Sequence, residues 1–142
     1  MSNNLFRLAV GAVCYNDGNV ALLLRHPDAE VLPSIWEIPS GGVEIGEHIL
    51  DALIREVMEE TGLHIKIGDC VGYFIYESKG GMPCVQVNHL CTLDGCSPQS
   101  LRPSDEHISA EWVPLEHIYK YNVSKEVQNL IILSEKLVRF YV

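Results

Sequence analysis

The stretch Arg55-Glu56-Val57-Met58-Glu59-Glu60 puts three carboxylates and a guanidinium into one short run. On a helix advancing about 100° per residue, Glu56, Glu59 and Glu60 fall within one arc of about 100°, because i, i+3 and i+4 are neighbours. Like charges at these spacings destabilise an exposed helix by about 0.2–0.5 kcal/mol per pair, so the arrangement costs stability unless a cation sits among them. Oxygen donors of this hardness suit Mg2+ or Mn2+. An acidic helical patch is also a common form of plain solvated face, so the surroundings must decide.

Those surroundings predict an element order that frames the patch. From about Glu47 to Thr61 the apolar residues Ile49, Leu50, Leu53, Ile54, Val57 and Met58 recur at helical spacing, and Gly62 supplies a stop. Trp36-Glu37-Ile38-Pro39 reads as a short strand, and Ser40-Gly41-Gly42 as a flexible turn at which the backbone can approach a ligand. Upstream, Leu5–Tyr15 and Val20–Leu24 form a hairpin about the turn Asn16-Asp17-Gly18-Asn19, and a loop runs from Arg25 to Ser34. Downstream, Ile65–Tyr76 and Cys84–Leu93 form a second hairpin about Gly80-Gly81. A loop from Asp94 to His107 then leads to a short strand near Glu111–Val113. Ser124 is an N-cap for a last helix whose stripe is Val127, Leu130, Ile131, Leu137, Val138 and Tyr141. Strands, helix, strands, helix suits a sheet covered by helices on its faces.

Gly41, Glu47, Arg55, Glu56, Val57, Glu59, Glu60, Gly62 and Leu63 resemble the Nudix box, G-x5-E-x7-R-E-U-x-E-E-x-G-U with U aliphatic, at every defined position. The likeness extends through Trp36-Glu37-Ile38-Pro39 before the box and Glu111-Trp112-Val113-Pro114-Leu115 after it. The resemblance implies an α/β fold, an α/β/α sandwich with a mixed sheet between helices. It also implies divalent-metal-dependent hydrolysis of a phosphoanhydride bond in a nucleoside diphosphate linked to X (ADP-ribose, a nucleotide sugar or a nucleoside triphosphate), with release of a nucleoside monophosphate. Carried over position by position, Glu56 and Glu60 are the principal ligands of Mg2+ or Mn2+, and Glu59 is a further ligand or the base that activates water. Arg55 steadies the carboxylates, Glu47 supports the site from the start of the helix, and the backbone carbonyl near Ser40 and Gly41 is a further ligand. Glu106 has the spacing from Trp112 of a glutamate that reaches the metal in triphosphate-cleaving relatives; its plain reading is a solvated loop acid. Ser40 stands where many members have glycine, and a small residue there is also seen in relatives that cleave ADP-ribose. Dimers are common in the family, so a homodimer is possible. The rival reading is a catalytically idle Nudix-fold module that senses a nucleotide, against which the intact Glu56, Glu59 and Glu60 argue.

Length and composition narrow the rest. The 142 residues, 47% hydrophobic and 20% charged, predict one domain over 1–142 with the box at 41–63. A net charge of −9 and no basic cluster exclude duplex nucleic acid as a partner and leave a small-molecule nucleotide, whose phosphates a cation must neutralise. The odd set Cys14, Cys70, Cys84, Cys91 and Cys96, without a CxxC pair, reads as reduced thiols; Cys91 and Cys96 beside His89 read as core rather than a metal site. With neither a leader nor a membrane-length apolar run, the expectation is cytoplasmic, with no membrane partner. Arg25 could contact a substrate phosphate or simply be a solvated strand end, and Trp36 and Tyr76 could stack on a base or belong to the core. None of the six histidines falls in a ligand spacing, which reads as non-catalytic.

Overall fold

The computed structural model describes residues 4–78 and 80–138. Seven strands and two α-helices appear in the order β1 (Arg7–Asn16), β2 (Asn19–Arg25), β3 (Trp36–Glu37), β4 (Ser40–Gly42), α1 (Ile49–Thr61), β5 (Ile65–Glu77), β6 (Pro83–Leu93), β7 (His107–Pro114) and α2 (Lys125–Val138). Short 3-10 turns at Pro98–Ser100 and Leu115–Lys120 flank β7.

β1 organises the sheet. It runs parallel to β6 from Arg7 beside Cys84 to Cys14 beside Cys91, and antiparallel to β4 from Ala9 beside Gly42 to Gly11 beside Ser40. Its far end turns through Asp17-Gly18 into β2, which carries β3 and β7 on its two edges, while β5 closes the other side against β6. One parallel pairing among antiparallel ones makes the sheet mixed, as the family resemblance implies.

Side chains alternate across a strand, so β1 feeds two cores. Val10, Ala12 and Cys14 pack with Ala52, Leu53, Val57 and Leu63 beneath α1. Val13 faces the other way and joins Leu22, Ile38, Leu90, Val127, Leu130 and Ile131 beneath α2. The helices therefore cover opposite faces, and the α/β/α sandwich holds. Ser124 caps α2, its Oγ accepting from the Val127 amide at 3.2 Å; Tyr141, the last residue of the expected stripe, lies outside the described residues.

Several strand ends differ from the sequence reading by a residue or two, and three differences bear on the site. Ser40–Gly42 is a strand and not a flexible turn, since its backbone is taken up by pairing with β1. α1 begins at Ile49 rather than Glu47: the His48 ring accepts from the Leu50 amide as N-cap, and Gly46, in the left-handed region, precedes it. β7 starts at His107, four residues before the expected Glu111, because β2 offers a long open edge. Cys14, Cys84 and Cys91 are buried, Cys96 is half-buried and Cys70 is exposed. No helix among the described residues is long and apolar enough to cross a membrane.

The two apolar neighbours Leu53 and Ile54 test the seating of α1, since the first is fully buried and the second 45% exposed. Leu53→Ala should lower the unfolding free energy in urea by about 2–5 kcal/mol, and Ile54→Ala should change it by about 0.5 kcal/mol or less. Equal losses would contradict this orientation.

Candidate active site

The paired β4 strand lies so close to α1 that the missing side chain at Gly41 matters. A Cβ there would stand 2.0 Å from Cδ of Glu56 and 2.2 Å from its Oε2. Gly41 lacks the positive φ that glycine alone adopts readily, so glycine serves here for space rather than for a turn. One residue earlier, the Ser40 amide donates to Glu60 Oε1 at 2.7 Å. The sheet edge and the helix thus meet through two carboxylates.

The three glutamates of the helix are not equivalent. Glu60 is buried, Glu56 is half-buried on the same side of the helix, and the Glu59 side chain is 58% exposed at the rim. Burial pushes the Glu60 carboxyl up to about 9, reinforced by the charges of Glu37, Glu106 and Glu56 and opposed only by the Ser40 amide. Burial also raises Glu56, outweighing the guanidinium beside it.

Arg55 ties the box together. Its Nε and one terminal nitrogen grip both oxygens of Glu47 at 2.8 and 2.9 Å, and that same nitrogen donates to the Gly42 carbonyl at 3.0 Å. The other terminal nitrogen reaches Glu56 at 2.9 Å and Glu59 at 3.4 Å. Hydrogen bonds from Arg55 hold the half-buried Glu47 carboxyl at about 2, well below the usual range, and the guanidinium itself is raised. One side chain thereby fixes Glu47, Glu56 and the end of β4.

The loop before β7 adds Glu106 and His107. Oxygens of Glu60 and Glu106 and a ring nitrogen of His107 all lie within 4.8 Å of one another. The structure places the other expected residues differently. Arg25 is half-buried and occupied, its Nε donating to the Val31 carbonyl at 3.0 Å and its Nη1 to Glu37 at 3.3 Å. Trp36 turns to the α2 face and meets Tyr121 edge to face at 5.1 Å, on the side away from the carboxylates. Tyr76 is 39% exposed beside Phe74.

A model of the NUDIX domain matches residues 5–131. The chain belongs to the NUDIX family. Among relatives, this Nudix chain is 27% identical to Nudix hydrolase 6 of Arabidopsis thaliana over 89% of its own length and 46% of that protein's. It is 42% identical to the RNA pyrophosphohydrolase of Ruthia magnifica subsp. Calyptogena magnifica over 44% of this chain and 34% of that one. It therefore spans less than half the length of these curated relatives. The solved structure of a C. elegans Ap4A hydrolase binary complex superposes with a TM-score of 0.79 at 28% identity, covering 94% of this chain and 98% of that one.

The residues of this Nudix site fit the divalent cation that the family uses. A buried carboxyl surrounded by three further carboxylates is a poor structural element, and a set of hard oxygens is a good cation cradle. Two site residues receive no role from the sequence reading. His107 is betrayed only by adjacency to Glu106, and Glu37 only by strand alternation, which turns it opposite Trp36 toward the box.

The native state holds the Glu60 proton up to about pH 9 while the unfolded chain releases it near the usual 4.5, so across that window the native state binds more protons and stability falls as pH rises. The unfolding free energy of metal-free protein should decline between about pH 5 and pH 9, by at most about 1.4 kcal/mol per pH unit from this group, and Glu60→Gln should flatten the decline. An unchanged slope in that variant would contradict the burial of a neutral Glu60. Gly41→Ala, which displaces the Glu56 carboxylate, should weaken Mg2+ binding by about tenfold or more in calorimetry while the fold persists.

Proposed function

We propose that this chain is a divalent-cation-dependent pyrophosphohydrolase that cuts a phosphoanhydride bond in a nucleoside diphosphate linked to another group and releases a nucleoside monophosphate. The observation that carries the reading is Glu60, a buried carboxyl on the Ser40 amide with Glu56, Glu37 and Glu106 around it, inside a complete Nudix box. The names of the pyrophosphohydrolase and Ap4A hydrolase relatives support a nucleotide substrate with a phosphoanhydride bond. We read residues 1–142 as one catalytic domain.

In this reading Glu56, Glu60 and a backbone carbonyl at Ser40 or Gly41 hold Mg2+ or Mn2+. The bound cation supplies charge neutralisation of the diphosphate and acidifies water. Arg55 keeps Glu56 and Glu59 in place and Glu47 holds Arg55. Glu106, whose carboxylate lies within 4.8 Å of Glu60, takes the proton from the attacking water when only the box cradle is filled, whereas Glu59 is engaged by Arg55. Arg25, already bound to Glu37 and Val31, serves as a brace, and a direct role on substrate phosphate would require it to leave both.

A panel of nucleotides screened with Mg2+ for product release should show hydrolysis that EDTA abolishes and Mg2+ or Mn2+ restores; full turnover in metal-free buffer would contradict the reading. Glu56→Gln and Glu60→Gln should each lower kcat by orders of magnitude with the fold intact. Glu106→Gln should reduce kcat with little change in KM, while Asp105→Asn, which removes the same charge from the same loop, should leave both nearly unchanged. Equal small effects would return the base to Glu59.

A further inference from the structure

His107 is a buried imidazole whose two nitrogens stand in different circumstances. Nε2 lies 2.8 Å from Oε2 of Glu37, and the same oxygen receives Nη1 of Arg25 at 3.3 Å. Nδ1 is buried and has no hydrogen-bond partner among the described residues. The residue as a whole is only 4% exposed.

An unpartnered buried nitrogen destabilises the fold relative to a satisfied one, so a chain that keeps it needs a reason. With a carboxylate at Nε2, the favoured tautomer carries the proton there and leaves a bare lone pair on Nδ1. This is the form in which an imidazole binds a metal, and a carboxylate behind the ring is the usual support for such a ligand. The partners are at hand, since a ring nitrogen of His107 and oxygens of Glu60 and Glu106 lie within 4.8 Å of one another. Arg25, anchored on Val31, fixes Glu37 from the other side and so holds the ring.

We propose that His107 Nδ1, with Glu60 and Glu106, forms a mixed nitrogen and oxygen site for a transition-metal cation, supported by Glu37 and adjoining the all-oxygen cradle of the box. The inference rests on Glu60 being a cation ligand, as the proposed function has it. It goes further in assigning His107 a direct contact and the site a preference. Imidazole strengthens binding of Co2+, Ni2+ and Zn2+, whereas Mg2+ gains nothing from it, so this site separates the two kinds of ion where the carboxylates alone would not.

Co2+ added to the metal-free native chain supplies a readout independent of turnover. The proton NMR spectrum should show one strongly shifted, solvent-exchangeable imidazole N–H, the Nε2–H that faces Glu37. It should persist in His26→Gln and His48→Gln and vanish in His107→Gln, whose Co2+ affinity should fall about tenfold or more while Mg2+ affinity stays within about threefold. If His107→Gln does not fold, the native resonance and its persistence in those two variants and in His64→Gln, His89→Gln and His117→Gln decide the matter. Absence of the shifted N–H, its loss in any of these five variants, or equal losses of Co2+ and Mg2+ affinity in His107→Gln would overturn the proposal. Mg2+-dependent hydrolysis by the native chain keeps the two readings apart: turnover without the shifted N–H sinks this site alone, and failure to bind either ion sinks both.

Discussion

The hydrogen bond from the Ser40 amide to Glu60 is the contact on which the arrangement turns. It joins a sheet edge to a helix through a carboxyl group that water barely reaches, and it exists only because β4 is fixed by pairing with β1. Once that strand is in place, any side chain at Gly41 would displace the Glu56 carboxylate, which occupies the space. The loop between β4 and α1 must then return Glu47 to Arg55, which closes the assembly by donating to Gly42. Each element of the box is accordingly held by backbone or by the multiply bonded Arg55 guanidinium rather than by a mobile side chain.

This construction is unfavourable as folding alone. Burying Glu60 among Glu56, Glu37 and Glu106 forces it to stay protonated far above its ordinary range, and a leucine in the same place would cost less. The apolar cores on either side of the sheet tolerate the expense: Leu53 and Val57 seat the helix while Glu56 and Glu60 sit at the border of the same face. A divalent cation reverses the sign of the local electrostatics, turning mutual repulsion into shared coordination. Stability without metal and readiness to bind it are thus opposed at the same residues.

What could be read from the chain follows the range of the interactions involved. α1 and the clustering of its charged residues depend on neighbours three and four apart, and Glu56 and Glu60 lie on one side of the helix as the spacing predicts. Ser40–Gly42 looked like a turn because two glycines and a serine suggest one locally, whereas its strand character comes from β1, remote in sequence. Glu59 belongs to the acidic arc by angle but points to solvent, since an arc says nothing of where the sheet lies. Trp36 and Glu37 share a short strand, and only the sheet decides which turns to the core; the tryptophan took the α2 side and left the glutamate facing the box. His107 was invisible to ligand-spacing rules because its companions Glu60 and Glu37 come from other elements.

The central claim, that Glu60 is neutral in the free protein and becomes a charged cation ligand, is tested most directly by counting protons. Calorimetric titration of the native chain with Mg2+ at about pH 7.5, in buffers of different ionisation enthalpy, should report release of about one proton per cation bound, and Glu60→Gln should abolish that release. Tight Mg2+ binding with no proton released, or release undiminished in Glu60→Gln, would contradict the account.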